Sequence, residues 1–121
     1  MKLDNALMAL AVIASSMSIS HAALAEKGAE TKANPEAGKQ LWYQDFDGRS
    51  CTTCHGQSPK ELGKHQKTRR PIEPMALSVN PERFSDPAKT EKWFRRNCRW
   101  TLGRECTSDE KANILAWLKQ Q

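Results

Sequence analysis

Apolar residues fall along this chain in blocks that follow different rules. From Ala6 to Ile19 they run almost unbroken apart from scattered serines, a stretch shorter than a comfortable bilayer crossing. Ala23-Leu24-Ala25 follows, a small-x-small triplet of the kind signal peptidase cuts. Residues 1–25 are therefore expected to be a secretory signal, with Ser20-His21-Ala22 as another cut site and an uncleaved anchor as the other reading. Residues 26–34 are polar and charged with one glycine, which suits a flexible leader, and the domain itself is expected over 35–121.

Within that domain the apolar spacing becomes helical. Asn34-Pro35 supplies an N-cap and a proline at the first helical position, and Gly38, Leu41 and Trp42 recur at helical spacing, predicting a helix over 35–46 that Asp47-Gly48 ends. Asp86-Pro87 repeats the signal, and Trp93, Phe94, Asn97 and Cys98 follow three and four residues apart, predicting a helix over 87–98 with Asn97 on the face of Trp93 and Phe94. Thr107-Ser108-Asp109-Glu110 is a capping box that opens a terminal helix, with Ile114, Leu115 and Leu118 as its apolar stripe and Trp117 beside it. Between these, residues 56–81 carry Gly56, Gly63, Pro59, Pro71, Pro74 and Pro81 with little periodicity. The expected scaffold is all-α, and its long irregular loop, read as having no strands, needs something to wrap around.

Size and cysteine content say what that is. The chain has 121 residues and a net charge of +5; without its first 25 it is small enough that folding usually needs a cofactor, metal or disulfide. All four cysteines, at 51, 54, 98 and 106, lie beyond the expected signal, and export brings them into an oxidising compartment. Cys51-Thr52-Thr53-Cys54-His55 has the spacing of c-type haem attachment. Two thiols three positions apart reach two vinyl groups of a porphyrin as thioethers, and the histidine directly after them presents a nitrogen to the iron. A zinc knuckle usually repeats the close pair, and a thioredoxin-like site needs a strand-helix-strand setting; neither pattern is present. The two remaining thiols, Cys98 and Cys106, most simply pair, with free thiols or a redox-switching pair as alternatives. Together with Gly38, Trp42 and Trp117, the motif resembles the class I cytochrome c layout, which implies that the first and last helices cross near the haem edge.

The sixth iron position has three candidates: Met75, His65 and Asn97. Methionine sulfur favours ferrous iron and makes a closed electron carrier, a second histidine lowers the potential, and an amide oxygen is a hard, weak ligand that ferrous iron holds poorly. Residue pattern alone leaves the choice open, and Asn97 reads equally as a residue near a helix C-terminus.

The stretches Pro71 to Phe84, Glu91-Lys92-Trp93-Phe94-Arg95-Arg96-Asn97-Cys98 and Gly103-Arg104-Glu105-Cys106-Thr107 closely resemble the sphaeroides haem protein family of monohaem class I-like cytochromes, over about residues 35–119. The resemblance implies haem c held by Cys51 and Cys54, His55 as proximal ligand, Asn97 as a distal ligand that leaves on reduction so that oxygen or nitric oxide binds, and a Cys98–Cys106 disulfide. A related methylotroph cytochrome, cytochrome c double-prime, uses a detachable histidine instead, and no histidine lies near position 97 here.

Charge adds the partners. Lys60, Lys64, Lys67, Arg69 and Arg70 cluster just after the haem motif. The cluster reads as a rim for an acidic redox partner, expected to be another c-type (dihaem) cytochrome, or as an ordinary solvated loop. Arg83, Arg95 and Arg96 are candidate partners of the haem propionates. Nucleic-acid binding is not expected, nor is stable membrane insertion after signal cleavage. The combined expectation is a periplasmic monohaem cytochrome with diatomic-gas binding. Its rivals are a plain electron carrier with Met75 on iron and a haem oxidoreductase of small oxygen or nitrogen species, for which no acid–base pair stands out.

Overall fold

The computed structural model describes residues 32–121; the expected signal over 1–25 and residues 26–31 of the leader lie outside the described residues. Helix α1, Pro35–Tyr43, begins as its sequence dictates: the Asn34 Oδ1 accepts from the Glu36 and Ala37 amides at 3.0 and 3.2 Å, and Pro35 has no N–H to leave unpaired. It stops three residues earlier than expected. The Asp47-Gly48 pair ends no helix directly but sits at the centre of a tight turn, both residues in the left-handed region, with reciprocal backbone hydrogen bonds between Phe46 and Arg49 of 2.7 and 3.2 Å. That turn takes the residues that would have formed the last helical turn.

Helix α2, Thr52–His55, is a single turn. Strands β1, Gly63–Lys64, and β2, Pro71–Ile72, then pair antiparallel, Gly63 opposite Ile72. This hairpin corrects the expectation of a strandless loop, and its cause is local. A Cβ at Gly63 would lie 2.3 Å from the Cys54 carbonyl oxygen and 2.9 Å from the His55 Cα, so only glycine lets the strand seat against α2.

Helix α3, Pro87–Leu102, starts on Asp86, whose Oδ1 accepts from the Lys89 amide at 2.9 Å. It runs four residues past the expected end at Cys98, to Gly103 in the left-handed conformation that closes a helix. Asn97 is consequently interior to the helix and caps nothing. Helix α4, Ser108–Leu118, carries the expected capping box: Thr107 Oγ1 accepts from the Glu110 amide at 3.2 Å, and Glu110 Oε2 accepts from the Thr107 amide at 2.8 Å. Arg104 adds a two-pronged contact to the same carboxylate at 2.7 and 2.8 Å.

Helices α1 and α4 cross in close contact. A Cβ on Gly38 would lie 2.0 Å from the Asn113 carbonyl oxygen, so the two backbones meet without an intervening side chain. The Asn34 amide donates to Asn113 Oδ1 at 2.6 Å, fixing the register of the crossing. Around it Trp42, Ile114, Trp117 and Leu118 form the buried cluster, with the Trp42 and Trp117 rings 5.6 Å apart. Trp117 is thus part of the core, and Leu115 lies on the side toward α3. Helix α3 makes no extended packing with the other helices. It is tied to the segment just before α4 by the bond between Cys98 and Cys106, Cα atoms 5.6 Å apart, and to α4 itself by Lys111 bridging to Glu91 at 2.6 Å. Among the described residues no helix is long and apolar enough to cross a membrane.

The capping box makes a measurable prediction. Arg104 first, with the Thr107 backbone helping, holds the Glu110 carboxyl down at about 2, against an ordinary value of 4.5. A depressed carboxyl stabilises the fold fully above its ordinary value, and that contribution is lost as pH falls toward 2. Thr107→Ala should cost about 1 kcal/mol at neutral pH. Glu110→Gln should lower stability at pH 7 and shrink the loss between pH 5 and 2. Urea denaturation across that range measures both.

Candidate functional site

The cysteine-histidine motif folds into one turn because its hydroxyls hold the entry. The Ser50 amide donates to Thr53 Oγ1 at 3.0 Å, the Ser50 and Thr52 hydroxyls are 2.6 Å apart, and the His55 amide donates to the Cys51 carbonyl at 3.1 Å. One helical turn brings residues three and four apart onto one side, so Cys51, Cys54 and His55 emerge together. Gly56 then leaves the turn at φ 79°, a conformation closed to most side chains, and a Cβ there would also strike the Glu61 carboxylate.

The chemistry of these three side chains discriminates among the readings of the motif. Both thiols are free and half-buried. Burial pushes the Cys51 thiol up to about 11, with a smaller contribution from Cys54. A reactive redox cysteine requires the opposite shift. Among the described residues no three His, Cys, Asp or Glu side chains are grouped to hold a metal ion, so the donor set of a zinc knuckle is lacking. Burial, and secondarily the charge of Arg83, lowers His55 to about 4, leaving a neutral imidazole at pH 7 with a lone pair to offer. Its Nδ1 is buried without a hydrogen-bond partner, as is the Trp42 Nε1, and the two rings are 5.1 Å apart.

The remaining candidates are placed in different surroundings. Asn97 is exposed on α3, and its amide makes no hydrogen bond among the described residues. Trp93 and Trp100 lie one turn to either side of it, 46 % and 39 % exposed. The Arg49 guanidinium, two residues before Cys51, stacks 5.7 Å from the centre of the Trp100 ring, so this stripe stands beside the haem motif. Two exposed indoles on one stripe are a surface that apolar ligands cover. Met75 is instead occupied. Its Sδ accepts from Arg83 Nη2 at 2.8 Å, and its side chain packs on the Trp42 cluster. His65 sits in the hairpin turn with its Nδ1 accepting from the Thr68 amide at 3.1 Å. The turn also carries Lys67, Arg69 and Arg70, with Lys64 in β1 and Lys60 just before it; all five are exposed, and none forms an ion pair among the described residues. Sequence reasoning missed the Arg83–Met75 contact and the role of Trp100, because both depend on tertiary approach between segments with no shared periodicity.

Two thiols and a neutral imidazole on one turn, an unpartnered buried ring nitrogen, and an exposed aromatic stripe on α3 together fit a haem, which Cys51, Cys54 and His55 would hold. The fold and this site define an all-α monohaem c-type cytochrome.

Comparison with known proteins gives the family. Residues 28–118 match the family described as domain of unknown function DUF1924, and the chain belongs to it. It is 43 % identical over 101 residues to the cytochrome c-type protein SHP of Cereibacter sphaeroides, covering 79 % of this chain and 78 % of the relative. Among solved structures it is similar to oxidised SHP, an oxygen-binding cytochrome c, with a TM-score of 0.69 at 44 % identity over 74 % of this chain and 83 % of that one. It is also similar to oxidised cytochrome c'' of Methylophilus methylotrophus, with a TM-score of 0.64 at 34 % identity over 71 % and 74 %. These relatives are c-type haem proteins, and haem c is the cofactor of this chain.

Proposed function

We propose that this chain is an exported, periplasmic electron-transfer cytochrome in which Cys51 and Cys54 attach the haem, His55 is the proximal ligand and Asn97 is a weak distal ligand released on reduction. When bound, the haem supplies a one-electron couple and, once its distal side is vacated, a place for a diatomic gas. The observation that carries the reading is the free Asn97 amide, interior to α3 and flanked by two exposed tryptophans. The other two candidates are held elsewhere, Met75 by Arg83 and His65 by its own turn.

An amide oxygen is a hard donor that suits ferric iron and suits ferrous iron poorly, so the redox state sets whether Asn97 stays. SHP is an oxygen-binding cytochrome, which supports oxygen as a ligand of the reduced form here, with nitric oxide as the chemically similar alternative. The unpaired cations of the hairpin, seated on α2 through Gly63, support docking of an acidic redox protein such as a dihaem c-type cytochrome.

Asn97→Ala is expected to change the ferric absorption and electron paramagnetic resonance spectra, whereas Met75→Leu should leave them nearly unaltered. The reduced wild-type protein should respond to added nitric oxide. A reduced form that is low-spin and indifferent to the gas, with a ferric spectrum sensitive to Met75 and not to Asn97, would transfer the distal role to the thioether.

A further inference from the structure

Arg83 is a half-buried cation whose partners do not match its charge. Among the described residues the side-chain ion pairs join Arg99 to Glu105, Arg104 to Glu110 and Lys111 to Glu91, and none includes Arg83. Its guanidinium donates to the Met75 sulfur, at 2.8 Å, and a thioether is a weak acceptor. Glu73 acts on it only from beyond ion-pair distance. Taking a guanidinium partly out of water is unfavourable unless an anion compensates.

Its position says where that anion comes from. Met75 is fixed by its own amide and that of Ala76, both donating to the Pro59 carbonyl at 2.8 and 2.9 Å, four residues after His55. The contact with Met75 therefore holds the Arg83 guanidinium to the segment leaving α2, close enough that the His55 imidazole feels its charge. Phe84, directly after it, adopts φ 68°, a strained conformation for an aromatic residue, and packs against the core. The other sequence candidates differ: Arg95 and Arg96 are exposed, and Arg96 lies over the Trp93 ring at 5.5 Å.

We propose that Arg83 is the anchor of a haem propionate: its guanidinium, steered by the Met75 sulfur, receives a carboxylate of the cofactor through paired N–H donors. The inference rests on the reading that His55 carries the haem. It makes Arg83 a cofactor-binding residue and gives Met75 a task other than iron ligation. The geometry suits it, because a planar guanidinium and a carboxylate meet by two parallel hydrogen bonds, and a thioether accepting one remaining N–H leaves others for the carboxylate. A fixed positive charge near the iron also favours the ferrous state, so its removal lowers the potential.

The test uses the haem-loaded protein and three variants. Arg83→Gln is expected to shift the propionate bending bands in the resonance Raman spectrum and to lower the midpoint potential. Arg83→Lys should keep most of the potential while losing the paired-contact signature, and Met75→Leu, which removes the steering contact, should shift both readouts in the same direction as Arg83→Gln but less, with the iron ligation unchanged. Unchanged propionate bands and potential in Arg83→Gln would overturn the proposal, as would a larger change from Met75→Leu than from Arg83→Gln. Should Arg83→Gln yield no loaded protein, proton magnetic resonance of the unmutated ferrous carbonyl form decides. Through-space contacts from the Arg83 guanidinium to propionate methylene protons support the anchor, and contacts to the Met75 methyl alone refute it. A wild-type protein without covalent haem would instead sink the site reading beneath it.

Discussion

Gly38→Ala should be the most damaging single substitution in the helical scaffold, lowering stability by about 3 kcal/mol or more in chemical denaturation of the loaded protein. The added methyl would lie 2.0 Å from the Asn113 carbonyl oxygen and 2.4 Å from its carbon, atoms of a helix backbone that cannot rotate away. Relief requires the two helices to separate, which opens the Trp42–Trp117 contact and stretches the 2.6 Å bond from the Asn34 amide to Asn113. For a small domain that is a large share of the total stability. Gly103→Ala is the matched control, since its Cβ meets nothing within 4 Å and the cost is confined to the left-handed backbone, about 1 kcal/mol. Equal losses for the two variants would mean that the crossing is looser than described.

The second large effect is chemical. A Cys51→Ser, Cys54→Ser double variant, produced alongside the haem-attachment machinery, should yield protein whose colour is extracted by acidified organic solvent, whereas the wild-type colour stays with the polypeptide. A matched Cys98→Ser, Cys106→Ser variant should keep its haem. Its stability should fall by about 2 to 3 kcal/mol for loss of a short cross-linked loop. The double variant should also melt lower than wild type, because Trp93 and Trp100 then depend on a non-covalent group for cover. Retention of colour through extraction in Cys51→Ser, Cys54→Ser would remove these two thiols from the attachment role.

What the sequence made legible follows from which forces are local. Cap residues at Asn34, Asp86 and Thr107 act within three positions, and each opens a helix where expected. Helix ends were less readable. Asp47-Gly48 looked like a stop signal, yet its preference for positive φ built a turn that consumed the end of α1; Cys98 looked terminal, yet Gly103 supplied the left-handed residue that ends α3. The short hairpin escaped notice because two-residue strands carry no periodicity, and Gly63 matters through a contact with Cys54 and His55. At the candidate site, that Cys51, Cys54 and His55 share one side is readable from spacing because one helical turn fixes their relative positions. The contact of Arg83 with Met75 joins residues eight apart in irregular chain, and no pattern of residue types announces it.

If Asn97 is the distal ligand proposed above, the bond between Cys98 and Cys106 bears on how its amide can depart. Asn97 is the residue immediately before Cys98, and the cross-link joins α3, one turn short of its end, to the segment just before α4. With its downstream end clamped, α3 cannot uncoil past position 97 to carry the amide away. On that reading, departure would reduce to a swivel about the χ angles of one short side chain. Such a swivel would move few atoms and leave little solvent to rearrange, as a shutter worked by a single electron would need.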